Sequence, residues 1–251
     1  MISFDSSNLE SAYLLVNRLN KSDAPSRDIQ SENIAFQDGF NIVANFWRSR
    51  TIVIGGTLDA TSSAHLATLI DTLKQNLSGV GKNLDLDFGN GTRRYLATLS
   101  KLSMPEEFYN ITNITYTAEF LCQPFGYDTS NQNVIVSGIT TSPYNGSLSA
   151  IGTYKPTPVI TITMSAASGV TGGISFANTT TGDVITIPGA IASTDVIVID
   201  TDTQKVTKNG VQVDFNGPIP NFAVGINAFT VTMGGTSRTY NLAISYIPRY
   251  L

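Results

Sequence analysis

One histidine and one cysteine stand among the 251 residues, so the side chains that most readily move protons, bind metals or attack carbonyls near neutral pH are scarce. His65 has no second His, Cys or carboxylate pair at a ligand spacing, and it reads as a boundary residue on the flank of a helix. Cys122 has no His, Lys or Arg close in sequence to lower its pKa and reads as a small, inert core thiol. Asp200 and Asp202 form an Asp-x-Asp pair, which calcium loops use, but such a loop would supply more carboxylates and a Glu. With Thr203 and Gln204 following, a side-chain-stabilised turn fits better. Asp85 and Asp87 lie two apart on one strand face, whereas a glycosidase sets its carboxylates across a cleft. Gly55-Gly56, Gly172-Gly173 and Gly234-Gly235 match no phosphate-loop or dinucleotide fingerprint and are expected to be turns or bulges. No Gly-x-Ser-x-Gly elbow occurs. Arg93 and Arg94 beside Tyr95 are opposed by Asp71, Asp85 and Asp87. No catalytic residue, cofactor site or metal ligand is assigned, and the expectation is a protein that is not an enzyme.

Charge points the same way. A formal charge of -4 and a pI near 4.9 are a poor basis for neutralising phosphates, so neither specific nucleic-acid binding nor an acidic membrane partner is expected. Residues 1 to 128 hold 10 of the 15 Lys and Arg and 14 of the 19 Asp and Glu, whereas residues 129 to 251 hold 5 and 5, so the two halves differ in electrostatics. The first 20 residues have neither a basic start nor a continuous apolar stretch, and no apolar run nears the ~18 residues of a membrane span. Synthesis in the cytosol without a membrane address is expected, and a lone cysteine suits a reducing compartment.

The elements that must position these residues differ between the halves. In the first, Leu66, Leu69, Ile70, Leu73 and Leu77 recur at three- and four-residue steps and predict a helix over 62–78, capped by Ser62 or Ser63 and ended by a left-handed Gly79. Strands are expected at 51–54, 84–88, 94–102 and 114–122. Leu84, Leu86 and Phe88 oppose Asp85 and Asp87, the turn Gly89-Asn90-Gly91 reverses the chain, and Ile114, Tyr116, Ala118, Phe120 and Cys122 share one face. A polar stretch at 129–133 divides the chain into expected domains 1–130 and 131–251. The second has no His, Cys, Trp or Glu and reads as short β-branched strands at 134–136, 159–164, 174–176, 183–187, 195–200, 204–207, 211–215, 229–233 and 240–247, with Asn209-Gly210 the strongest hairpin signal. Such strands favour an antiparallel sandwich.

In order and spacing these segments resemble the distal tail (Dit) proteins of long flexible-tailed bacteriophages. The resemblance covers nearly the whole chain: Phe46-Trp47-Arg48-Ser49-Arg50-Thr51-Ile52-Val53-Ile54-Gly55-Gly56, the leucine helix, 84–88 turning into Arg94-Tyr95, and Phe120-Leu121-Cys122-Gln123-Pro124-Phe125-Gly126-Tyr127. In the second half it rests on Gly182-Asp183-Val184-Ile185-Thr186-Ile187, residues 195–200, Val206, Asn209-Gly210 and Gly225-Ile226-Asn227. It implies a mainly β protein, with an N-terminal tail-tube-like β-sandwich or α+β domain carrying one helix and a C-terminal galectin-like antiparallel β-sandwich. It further implies a structural virion protein at the distal end of the tail, in which six copies form a ring, single or stacked, between the tail tube protein and the tail-tip hub or tail-associated protein, with receptor-binding proteins as further partners and DNA passing through the lumen.

The acidic first half suits a channel that should not trap phosphates, and Asp85, Asp87, Glu106 and Glu107 are expected to include lumen-facing or inter-subunit residues. The competing reading is a carbohydrate-binding module that recognises a host-surface polysaccharide through Tyr144, Tyr154 or Phe222 in loops. The lone Trp47 lies in the other half, so galectin-mode sugar binding is not expected. A cell-surface hydrolase ranks last.

Overall fold

The computed structural model describes residues 2–34, 38–105 and 112–251. They form two compact units, Met1–Tyr127 with Leu251, and Asp128–Tyr250. The protein is mainly β with one helix, as expected.

The first unit contains β1 (Ile2–Phe4), β2 (Ser7–Asn8), β3 (Leu14–Asn20), β4 (Arg27–Asn33), β5 (Phe40–Trp47), β6 (Arg50–Asp59), α1 (Ser63–Leu77), β7 (Lys82–Asp87), β8 (Thr92–Ser103), β9 (Asn113–Cys122) and the short β10 (Gly126–Asp128). Its main sheet runs β2-β1-β7-β8-β9-β6-β3, with every pairing antiparallel. Strict alternation aims Ile52, Ile54, Leu84, Leu86, Tyr95, Tyr116, Phe120 and Cys122 at one side. There α1 covers them with Leu66, Leu73 and Leu77 buried and Leu69 and Ile70 half-buried, so the leucine stripe is the face that packs. The opposite face, with Thr51, Leu96, Thr115 and Leu121, is exposed.

Ser62 caps α1, its hydroxyl accepting from the His65 backbone N–H at 3.2 Å. The helix does not end on a left-handed Gly79. Ser78 closes it in right-handed conformation, and the positive φ falls at Gly81. Gly79 lies against the Lys82 side chain, 2.5 Å from where a Cβ would stand. Gly55 and Gly56 are likewise not a turn. Both lie inside β6, and the irregularity is in the partner β3, between Val16 and Arg18.

The second unit holds β11 (Gln132–Ile139), β12 (Tyr144–Ala150), β13 (Val159–Ser168), β14 (Ile174–Asn178), β15 (Asp183–Ile187), β16 (Val196–Asp200), β17 (Lys205–Lys208), β18 (Val211–Gln212), β19 (Gly225–Met233), β20 (Ser237–Tyr246) and β21 (Arg249–Tyr250). One sheet runs β11-β20-β13-β16-β17-β18 and the other β12-β19-β14-β15, all antiparallel. Ile160, Ile162, Ile197, Ile199, Leu242 and Ile244 of the first share one buried core with Leu148, Phe176, Ile185, Phe229 and Val231 of the second, as in a β-sandwich. Asn209 and Gly210 both have positive φ, 53° and 79°, and turn β17 into β18 as predicted. The strand expected at 211–215 stops after Gln212, and Asn216 bridges to Thr186 in the other sheet. Asp195 precedes β16, its carboxylate accepting from the Ala192 N–H at 2.7 Å.

Candidate assembly surface

Among the described residues β4 and β5 pair only with each other. The chain leaves the main sheet after Asn20, which pairs with Val53, and returns at Arg50, which pairs with Cys122, so the hairpin is an excursion between neighbouring strands β3 and β6. A two-stranded ribbon is at best marginally stable in water, and a third strand or a covering layer is what usually steadies it. Here Ile29, Phe40, Ile42, Val43 and Phe46 are between 51% and 61% exposed. Five large apolar side chains on one unpartnered ribbon form the kind of surface that binding covers. Its ends are held by side chains: the Arg27 guanidinium lies 4.0 Å from the Trp47 ring centre, and Arg48 pairs with Asp28 at 2.6 Å.

The sequence reading gave this ribbon no strand before residue 51. The signal was the Asp38-Gly39 dipeptide, a hairpin-turn pair, ahead of the apolar-rich stretch Phe40–Trp47. With both faces exposed, neither strand carries a period that marks a core side.

The residues singled out for chemistry are dispersed over both units. His65 Nδ1 accepts from the Thr61 backbone N–H at 3.2 Å, and its ring meets Tyr13 edge-on at 4.8 Å. Cys122 is 2% exposed, and burial pushes its thiol up to about 12, so almost no thiolate exists near neutral pH. Asp200 makes the predicted turn, accepting from Asp202 N–H at 2.9 Å and Thr203 Oγ1 at 2.7 Å. Burial works to raise the Asp200 pKa, but these hydrogen bonds and Lys205 outweigh it and leave the carboxyl below its ordinary value. Asp202 instead takes Arg249 at 2.8 Å. Gly173 and Gly235 have positive φ in turns, as expected.

Arg94 grips Asp85 through two 2.8 Å hydrogen bonds, and Arg93 stacks 4.2 Å from Phe88, so the Arg-Arg-Tyr stretch is spent within the unit. Of the four acidic residues expected at a lumen or subunit boundary, Glu106 and Glu107 lie outside the described residues. Asp87 is exposed, and the Gly89 N–H holds its carboxyl below the ordinary range. The aromatic residues of the sugar-binding reading fare differently from that expectation. Phe222 is 2% exposed against Phe176, and Tyr144 sits in β12 beside Phe229, not in a loop. Tyr154 is half-buried and bridges to Arg249.

Among the described residues no group of three or more His, Cys, Asp and Glu is placed to hold a metal ion, and no helix is long and apolar enough to cross a membrane.

Comparison with known proteins places this arrangement. Residues 151–250 match the family model described as a siphovirus-type tail component, C-terminal domain. No curated protein sequence matches the chain. Among solved structures, the Dit protein (gp 19.1) of SPP1, described as a paradigm of the hub adsorption apparatus in phages infecting Gram-positive bacteria, superposes with a TM-score of 0.72 at 14% identity, covering 100% of this chain and 98% of that one. A chain of the phage p2 baseplate in its activated conformation with Sr aligns at a TM-score of 0.41 and 10% identity, covering 91% and 89%. The resemblance drawn from the sequence is therefore met over the full length in fold: residues 151–250 match the model of the siphovirus-type tail component family, and the chain as a whole carries the fold of the SPP1 Dit protein.

Proposed function

We propose that the protein is a structural hub subunit at the distal end of a phage tail, without catalytic activity. In this reading six copies close a ring, single or stacked, that joins the tail tube protein to tail-tip or tail-associated proteins, gives receptor-binding proteins a place to attach, and lets DNA pass through its lumen. The observation that carries it is the end-to-end correspondence in fold with a phage hub protein at 0.72. The hairpin supplies the contact. A ring of identical copies needs a heterologous interface, in which a projecting element of one copy meets a different surface of the next. β4 and β5 are that element, exposed and apolar on Ile29, Phe40, Ile42, Val43 and Phe46.

Of the two described members of the expected acidic set, Asp85 is half-buried and Asp87 is exposed, so Asp87 is the one that faces the lumen in this reading. The polysaccharide-binding alternative loses Phe222 to the core.

Mass photometry and negative-stain electron microscopy of the purified chain test the proposal. Rings with a central channel are the expected result. A protein that stays monomeric at every concentration and binds a glycan would overturn it in favour of the alternative.

A further inference from the structure

The two roots of the hairpin are tied together by one buried side chain. Arg50, the first residue of β6, is 5% exposed. Its guanidinium reaches back across the start of the excursion: Nη2 donates to the backbone carbonyl of Lys21 at 3.1 Å and to that of Asp23, and Nη1 donates to the Tyr95 hydroxyl at 3.3 Å. The Tyr95 ring centre lies 5.0 Å from Cζ, while Nε has no hydrogen-bond partner. Burying a guanidinium on carbonyl dipoles and a phenol, with one N–H left over, costs stability, and an apolar residue would fill the same space more cheaply. What an apolar residue would not do is join residues 21–23, on the way out to β4, to residue 50, on the way back from β5. Lysine would do it poorly, because one ammonium does not span several acceptors with the fixed fork of arginine.

We propose that Arg50 is a positioning residue for assembly: it sets the direction in which the β4–β5 hairpin leaves the sheet, so that the apolar ribbon is pre-organised to meet a second copy of this chain. This rests on the reading of the hairpin as the assembly surface. Three further contacts act at the same place and in the same sense. The Arg48 N–H donates to Ser26 at 2.9 Å, Arg48 pairs with Asp28, and Arg27 stacks on Trp47. They zip the ribbon to itself, whereas Arg50 anchors it to the sheet through Tyr95, a fully buried residue of β8. Freed of that anchor, the ribbon keeps its own ladder but loses its fixed angle, and ordering it becomes a cost of association.

The test compares the full-length protein with Arg50→Met, Arg50→Lys and the double variant Ile42→Ser, Phe46→Ser, reading assembly against concentration by mass photometry, thermal stability, and hydrogen exchange at residues 21–27 and 47–50. Arg50→Met is expected to speed exchange at both roots while the amides of β6 and β9 stay protected, and to raise the concentration for half-assembly by about tenfold or more. Arg50→Lys should show the same pattern to a smaller degree, and it decides the matter if Arg50→Met does not fold. Unchanged exchange at the roots, or wild-type assembly in a folded Arg50 variant while Ile42→Ser, Phe46→Ser abolishes assembly, overturns the role of Arg50 and leaves the hairpin reading intact. Wild-type assembly of Ile42→Ser, Phe46→Ser overturns the hairpin reading itself.

Discussion

Gly56 and Tyr116 are paired across β6 and β9 so closely that a Cβ on the glycine would stand 2.6 Å from the tyrosine ring on one side and 2.0 Å from the Leu15 carbonyl on the other. Backbone cannot retreat as a flexible side chain can, so Gly56→Ala forces β3 or β9 to move. The expected cost is about 3 kcal/mol or more, at the upper end of overpacking. Gly55→Ala, whose tightest contact would be Arg18 Cβ at 3.3 Å, should cost much less. Chemical denaturation of the two variants checks the difference.

The helix gives a second comparison. Leu73 is 3% exposed beneath α1, and Leu73→Ala should lower the stability of the first unit by about 2–5 kcal/mol. Lys74 is exposed, and its replacement by Ala should stay within about 0.5 kcal/mol. Equal effects in denaturation would mean that the packed face has been misassigned.

What could be read from the residues beforehand follows from how burial writes itself into sequence. α1 was legible because a helix on one sheet face must repeat its leucines every three or four residues, and β9 because Ile114, Tyr116, Ala118, Phe120 and Cys122 put an apolar residue at every second position. The ribbon of β4 and β5 was not, since side chains exposed on both faces leave no core-side period. β12 was missed for another reason. Tyr144-Asn145-Gly146-Ser147 has turn composition, and only pairing with β19 makes it a strand, with Gly146 opposite Phe229 and pressed against its ring. The hairpin roots depend on Arg50 meeting Lys21 and Asp23, contacts that no spacing encodes.

Alkaline pH should destabilise both units. Burial pushes Cys122, Tyr116 and Tyr240 each up to about 12, from ordinary values of 9.0 for the thiol and 10.0 for the phenols. Above those ordinary values the unfolded chain releases protons that the folded chain retains, so the unfolded state binds fewer and stability falls as pH rises. The contribution is whole below pH 9 and is lost on the way through about 12. Denaturation midpoints measured from pH 8 upward should decline, and Cys122→Ala should remove the earliest part of the decline. In the same experiment a disulfide-exchange reagent at pH 8 should label Cys122 only on unfolding.

Acid also destabilises the second unit. Burial tends to raise the Asp195 pKa, but Lys208 at 2.8 Å, the Ala192 N–H and Asn209 together hold it below the ordinary 3.8. Stability from this carboxylate is present above that value and lost as pH falls toward and through the lower folded one, because over that interval the unfolded chain takes up a proton that the folded chain still excludes. Asp195→Ala should cost roughly 1–3 kcal/mol, chiefly by leaving the Ala192 N–H and Lys208 without their acceptor, and should flatten the acid limb. Exchange of the β13 and β16 amides across pH 2–6 reads both effects.

The pairing of Asp85 with Arg94 separates fold from field on the acidic side of the first unit. Their side chains are 21% and 40% exposed, so water screens the pair, and Asp85→Ala should cost no more than about 1 kcal/mol. Reversal to Asp85→Lys places like charges opposite each other across β7 and β8 and should cost slightly more, and the swap Asp85→Arg, Arg94→Asp should recover most of the loss. Because the swap leaves net charge unchanged, assembly of the proposed ring should be that of the native chain. Asp87→Lys instead alters the net charge, at an exposed position. If the acidic face lines a channel, particles carrying Asp87→Lys should form normal rings yet eject DNA more slowly, by an amount that shrinks as salt rises. Unchanged ejection at low ionic strength would remove Asp87 from the lumen.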